Sequence, residues 1–124
     1  MAEKKNLVYK VGECGQDNLF AHVYPPARVI PVTVASGETE MTRGSILYAD
    51  ETGKFKKIDT ENKAKARAIL KDDVDASGSD VNTFAYATGD FNIHAVTGKN
   101  IESIDFAIIN ALMDHQIYLS ELQD

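Results

Sequence analysis

From residue 29 to residue 96 the apolar side chains fall in short runs, mostly four to eight residues long, divided by turn-forming residues, and they keep no helical period. That rhythm specifies an all-β body rather than alternating βαβ units. Residues 29–34 are β-branched and interrupted by Pro31, which lacks a ladder N–H and marks an edge or a bend. Ser36-Gly37 turns the chain. Residues 44–49 and 54–58 flank Asp50, Glu51, Thr52 and Gly53, a loop whose length and final glycine suit a hairpin. Residues 64–70 have helical propensity, but Ala64, Ala66, Ala68 and Leu70 alternate with their neighbours, so residues 67–70 read as a strand. Residues 72–80 read as a turn-rich loop, and residues 81–87 and 91–96 as a second hairpin around Thr88, Gly89 and Asp90.

Residues 101–114 carry the one helical period, with Asn100 as the expected N-cap. At 100° per residue, Ile101, Ile104, Ala107, Ile108, Ala111 and Leu112 share a broad face. Phe106, Ile109 and Met113 form a second patch, bounded by Asp105 on one side and by Ser103, Asn110 and Asp114 on the other. The first face needs the sheet. The second needs either another part of the chain or a neighbouring subunit, and these three residues are the expected oligomer contacts. Residues 117–119 read as a terminal strand and residues 120–124 as a frayed end.

The front of the chain differs. Residues 1–28 hold two β-like runs, 7–11 and 19–24, separated by residues 12–18 and closed by Pro25-Pro26, which stiffen the junction. The apolar area they offer is small beside the entropy of ordering so long a segment, so it reads as an extended arm that needs the body or a partner. The expected division is an arm over 1–28 and one β domain over 29–124, and a chain of 124 residues is long enough for a single core.

Charge and motifs narrow the function. The net charge of −6 argues against nucleic acid, whose phosphates call for cations. Residues 1–28 are nearly neutral, with four cations and three anions, while nine cations and sixteen anions follow. No run of about 18 apolar residues spans a membrane, and Met1 to Lys5 open no signal core, so a soluble, unexported chain is expected. One cysteine, Cys14, allows neither an intrachain disulfide nor a cysteine-built zinc site, and no base or helix start adjoins it to lower its pKa. Asp73, Asp75, Ser77 and Gly78 fit a calcium loop at positions 1, 3, 5 and 6, but the twelfth, where a bidentate carboxylate belongs, is Phe84. Gly98-Lys99-Asn100 resembles the end of a phosphate loop, yet Ile93 stands where its first glycine should and Asn100 where its Ser or Thr should. His22, His94 and His115 lie too far apart in sequence to share one face of an element, and Ser45 lacks the strand-turn-helix setting of a nucleophile. Neither an enzyme, a cofactor nor a metal is expected.

The order of the motifs is more telling than any one of them. Val32-Thr33-Val34-Ala35-Ser36-Gly37, then Thr42-Arg43-Gly44-Ser45-Ile46-Leu47 with Gly53-Lys54-Phe55, resembles the opening of the phage-lambda-type head decoration protein family. Residues 68–76, Ala-Ile-Leu-Lys-Asp-Asp-Val-Asp-Ala, are similar to that family's Ala-Ile-Leu-x-x-Asp-Val-Asp stretch, and Gly89-Asp90-Phe91-Asn92 to its Gly-Glu-Phe-Asn turn. Residues 112–119 resemble the family's end, except that Gln116 stands in place of a glycine before Ile117. The resemblance runs over residues 29–120 and finds no counterpart for the leader.

It implies a mainly β, β-tulip or β-clip-like decoration domain with one helix in its C-terminal half and an extended N-terminal arm. It also implies a homotrimer on the outer surface of an expanded virion capsid, made in the host cytoplasm, that reinforces the lattice without catalysis. The arm would add to a strand of the major capsid protein, with Val8, Tyr9, Leu19, Phe20, Tyr24 and Pro25 as its expected contacts. The competing expectation is a small β-rich ligand-binding or accessory domain whose arm packs on its own body. A third, metal-dependent hydrolysis, requires tightly retained metal.

Overall fold

A computed structural model describes residues 18–121. The strands are β1 (Phe20–His22), β2 (Arg28–Val34), β3 (Glu38–Met41), β4 (Ile46–Ala49), β5 (Phe55–Lys57), β6 (Ala68–Leu70), β7 (Val74–Ala76), β8 (Val81–Asn92) and β9 (Ile117–Ser120). A 3₁₀ turn occupies Lys63–Lys65, and helix α1 Phe106–Met113. Over the described residues the molecule is mainly β with one α-helix in its C-terminal half, as expected.

β8 pairs antiparallel with β2 and with β6, β6 with β4, β4 with β5, and β5 closes onto β2 through the parallel pair Val34↔Phe55. The result is a closed ring of strands. Period-two alternation sorts its residues into two cores. Val32, Val34, Leu47, Phe55, Ala68, Leu70 and Ala85 form one, joined by Met41 and Ala76 from the separate β3–β7 sheet. Ile46, Tyr48, Ile69 and Tyr86 face the other way, beneath Leu19, Phe91, Ile108, Leu112 and Ile117. The expected hairpin is present, with Leu47, Tyr48 and Ala49 opposite Lys57, Lys56 and Phe55, and Gly53 at a φ of 88° in its turn. Pro31 is accommodated as an edge residue. Its partner Phe84 directs its carbonyl to the Lys71 amide, away from β2, so no N–H is asked of the proline.

Three expectations are corrected. Residues 81–96 make no hairpin, because β8 runs unbroken through Gly89, where strands are available on both edges. Gly89 donates to the Gln116 carbonyl (3.2 Å), and residues 89–92 pair in parallel with β9 while Phe91 and Asp90 pair with β1. The glycine is used all the same, for its φ of 145° and because a Cβ there would lie 2.9 Å from the Phe91 ring. Residues 72–80 are not all loop, since β7 pairs with β3. The helix starts at Phe106 instead of Ile101. Asn100 adopts a left-handed φ of 57° beside the bridge between Gly98 and Ile101, and the Lys99 amide donates to the Ile58 carbonyl (2.7 Å). Asp105 is the cap that forms, accepting from the Ile108 amide (3.2 Å). Ile108, Ala111 and Leu112 are buried as the periodicity requires, but Ala107 is exposed.

Gln116, where the family resemblance calls for glycine, sits at a φ of 63°. A non-glycine residue there carries left-handed strain of roughly 1 kcal/mol. Gln116→Gly is therefore expected to hold or raise stability by up to about 1 kcal/mol, whereas Gly89→Ala should cost about 1–3 kcal/mol through strain and the clash with Phe91. Urea unfolding of both variants reads the difference in sign.

Candidate binding surface

Residues 19–34 follow one edge of β8 with a single interruption. His22 opposes Asp90 and Arg28 opposes Thr88, so residues 23–27 face only Gly89 and bulge outward. Both ends of the bulge are fastened. Upstream, Leu19 is 2% exposed and its carbonyl accepts from the Asn92 amide (2.7 Å). Phe20 stacks on Phe91 and meets Tyr86 edge-on, each at 5.0 Å between centroids. Arg43 closes this aromatic group, with its guanidinium 5.6 Å from the Tyr86 centroid and bonded to the Tyr86 hydroxyl (3.0 Å) and the Lys71 carbonyl (2.8 Å). His22 Nδ1 lies 3.1 Å from Asp90 Oδ2. Downstream, the Thr88 hydroxyl donates to the Pro26 carbonyl (2.9 Å).

This division separates the expected arm contacts. Leu19 and Phe20 belong to the body's own core, because the apolar area they bury lies against Phe91 and Tyr86. Tyr24 is 79% exposed and Val23, an apolar residue of the same run that is not among the expected contacts, 94%. Pro25, joined to Tyr24 by a cis peptide, is half-buried. Val8, Tyr9 and Cys14 lie outside the described residues. The signal for Val23 is its place in a run, 23–27, without a charge.

A second apolar surface lies on α1, where Phe106 is 77% exposed, Met113 48% exposed and Ile109 half-buried. The structure thus keeps all three expected oligomer contacts at or near the surface, and no described residue covers Phe106. Asp105 stands at the head of that face, bonded to Lys63 Nζ at 2.5 Å. A third exposed pair, Val29 and Phe84, carries no signal in the sequence pattern. Phe84 lines a shallow cavity of about 330 Å³ together with Pro31, Thr33 and Phe55.

The motifs weighed for chemistry are spent on local structure. Asp73 accepts from the Arg43 amide (2.8 Å), tying two distant segments together, and Asp75 accepts from the Ser77 amide (3.0 Å), cementing a turn. Buried Ser45 accepts from the Thr42 amide (3.2 Å). His22 pairs with Asp90 and His94 with Glu121, in two unrelated places. Gly98, Lys99 and Asn100 line a cavity of about 150 Å³ with Thr39 and Lys57.

Among the described residues the large apolar side chains left exposed are Val23, Tyr24, Val29, Phe84, Phe106, Met113 and Tyr118, and such surfaces gain by being packed against others. The sequence model of the family described as bacteriophage lambda head decoration protein D matches residues 14–116. The chain belongs to that family and is a structural protein of the phage head decoration class. The match begins upstream of residue 29, the start of the motif resemblance, and so takes in β1; it stops before β9. No curated protein matches the sequence.

Two measurements test the site as described. Leu19→Ala should lower stability by roughly 2–5 kcal/mol, the range for a truncated core leucine, and Tyr24→Ala should change it by less than about 0.5 kcal/mol. Chemical denaturation of the two variants reads both.

The second concerns acid. Asp50 is held below its ordinary carboxyl pKa of 3.8 first by the Thr52 hydroxyl, Asp75 by Ser77, Asp80 by Lys54 and Asp105 by Lys63. A carboxylate with a depressed folded pKa contributes stability above its unfolded pKa and loses it as pH falls through the folded value. Stability should therefore drop as pH falls below about 4. In Asp105→Asn the slope in that window should be shallower, as followed by denaturation at a series of pH values.

Proposed function

We propose that the protein binds the outer surface of an expanded phage head as a trimer and stabilises the capsid lattice. The observation that carries this reading is the family match, which covers the whole β ring, β1 and all of α1. The partner is the major capsid protein of the head. Residues preceding Asn18 serve as the capsid-contacting arm. Leu7, Val8, Tyr9 and Val11 supply alternating side chains, and their backbone supplies a strand's donors and acceptors for β-augmentation. Pro25 lies on the same edge of β8 as the start of the body, so it contributes beside the arm, and the Tyr24 ring next to it is left for contact between copies.

Three arms on one trimer act at a high effective concentration, so weak single contacts add to a firm hold. A protein that binds the assembled shell and not its free subunits stabilises the shell by mass action. Phe106, Ile109 and Met113 are the trimer contacts on this reading, since an apolar face on a folded domain gains from a partner.

The test is cosedimentation with undecorated expanded heads, using the full chain and a version lacking residues 2–16. The deletion must stop short of Leu19, because cutting at Arg28 would also strip the core of Leu19 and Phe20. The full chain should pellet with the heads and raise the temperature at which they come apart, and the shortened one should bind at least tenfold more weakly. Failure of the full chain to pellet would overturn the proposal; equal binding by both would remove the arm from it.

A further inference from the structure

We infer that the 23–27 bulge of one copy seats on the outer face of α1 of the next copy, so that the trimer is joined head to tail. This rests on the trimer reading above and adds the pairing of surfaces. A ring of three needs heterologous contacts, in which two different patches of the chain meet, because a patch that pairs with itself closes at two.

The described residues supply two patches suited to each other. The bulge, Val23-Tyr24-Pro25-Pro26-Ala27, carries no charge, and neither does α1 from Phe106 to Met113, whose flanking acids are Asp105, paired with Lys63, and Asp114, in a chain that is 26% charged. Copies with a net charge of −6 repel one another, and uncharged surfaces are where they can approach without bringing acidic groups together. The interior of an interface is likewise depleted in charge.

Shape and area agree. The bulge is narrow and projecting, fastened by the His22–Asp90 pair before it and the Thr88–Pro26 bond after it. The helix presents a stripe at i, i+3 and i+7, Phe106, Ile109 and Met113, with Asn110 beside it. A seated Tyr24 ring needs a partner for its hydroxyl, and the Asn110 amide provides one. With aromatic side chains burying about 150–250 Å² each, Val23, Tyr24, Phe106 and Met113 together cover roughly 600 Å². Shared between the two partners, that is about 300 Å² a side, against about 800 Å² per partner for a stable interface, so these four residues supply its centre and their neighbours the rest. Within one chain the two patches do not cover each other, since Val23, Tyr24 and Phe106 all remain more than three-quarters exposed.

The experiment uses the full chain with Cys14→Ser, into which Tyr24→Cys and Met113→Cys are introduced singly and together, bound to undecorated expanded heads, washed and oxidised. Non-reducing gels should show a disulfide dimer when the two single variants are mixed on the heads and little with either alone. The double variant should give covalent products that stop at three chains. As a second reading, Val23→Asp should weaken binding to the heads at least tenfold while leaving the unfolding midpoint unchanged. Variants that bind the heads but cross-link only between identical positions, or not at all, overturn the head-to-tail pairing and leave capsid binding standing. If the cysteine-free parent itself fails to bind, the capsid reading falls and the pairing falls with it.

Discussion

The double use of strand β8 is the constraint on which the rest of the molecule depends. Its first half closes the ring by pairing with β2 on one edge and β6 on the other, and its second half pairs with β1 and β9. A single regular strand cannot serve both halves, because alternation would carry its side chains onto faces that suit only one of them. The break in register between Val29↔Tyr86 and Arg28↔Thr88 resets the alternation, and Gly89 then brings the backbone close to the Phe91 ring. Tyr86 and Phe91 thereby enter the same aromatic group although they are an odd number of residues apart. Phe20, Leu19 and the buried side of α1 pack against that group.

What is legible in the sequence follows the range of the interactions involved. The hairpin around Gly53 is readable because its strands, its turn and its glycine are neighbours in the chain. The strand at residues 68–70 is readable because the alternation that begins at Ala64 leads into it, although both of its own faces are buried by different cores and Ala68-Ile69-Leu70 is a continuous apolar run. The hairpin expected at Gly89 fails because Thr-Gly-Asp has the composition of a turn, whereas the choice between turning and continuing is made by β1 and β9, strands some 70 residues before it and 28 after. The start of the helix is misplaced for a similar reason. Asn100 and Asp105 are both good caps, and the bonds of Lys99 to Ile58 and of Asp105 to Lys63 decide between them.

The candidate surface is legible in part. The uncovered side of α1 can be read from helical spacing, because Phe106, Ile109 and Met113 fall off the buried face whether the helix begins at 101 or at 106. The arm is harder. A β-like run before Pro25-Pro26 looks the same in sequence whether it pairs with its own body or with another protein, and Leu19 and Phe20 pair with their own. The dividing point between core and projection falls at His22, and only the position of its Asp90 partner reveals it.

That dividing point has a functional logic under the proposed capsid reading. Were residues 19–22 free, the chain would have to order them on binding, at a cost of about 1–2 kcal/mol per residue that the new interface would first have to offset. Fixing them on β8 removes that cost from the binding step and leaves Val23 and Tyr24 held out to solvent by a bulge secured at both ends. A short, pre-positioned projection therefore binds more tightly through the same buried area than a longer flexible one. The opposite argument applies to residues 7–11, whose proposed task is to reach a distant strand edge, where length matters more than pre-positioning. On this reading the front of the chain divides its labour: residues 19–27 act as a fixed projection of the body, while the residues before Asn18 provide reach.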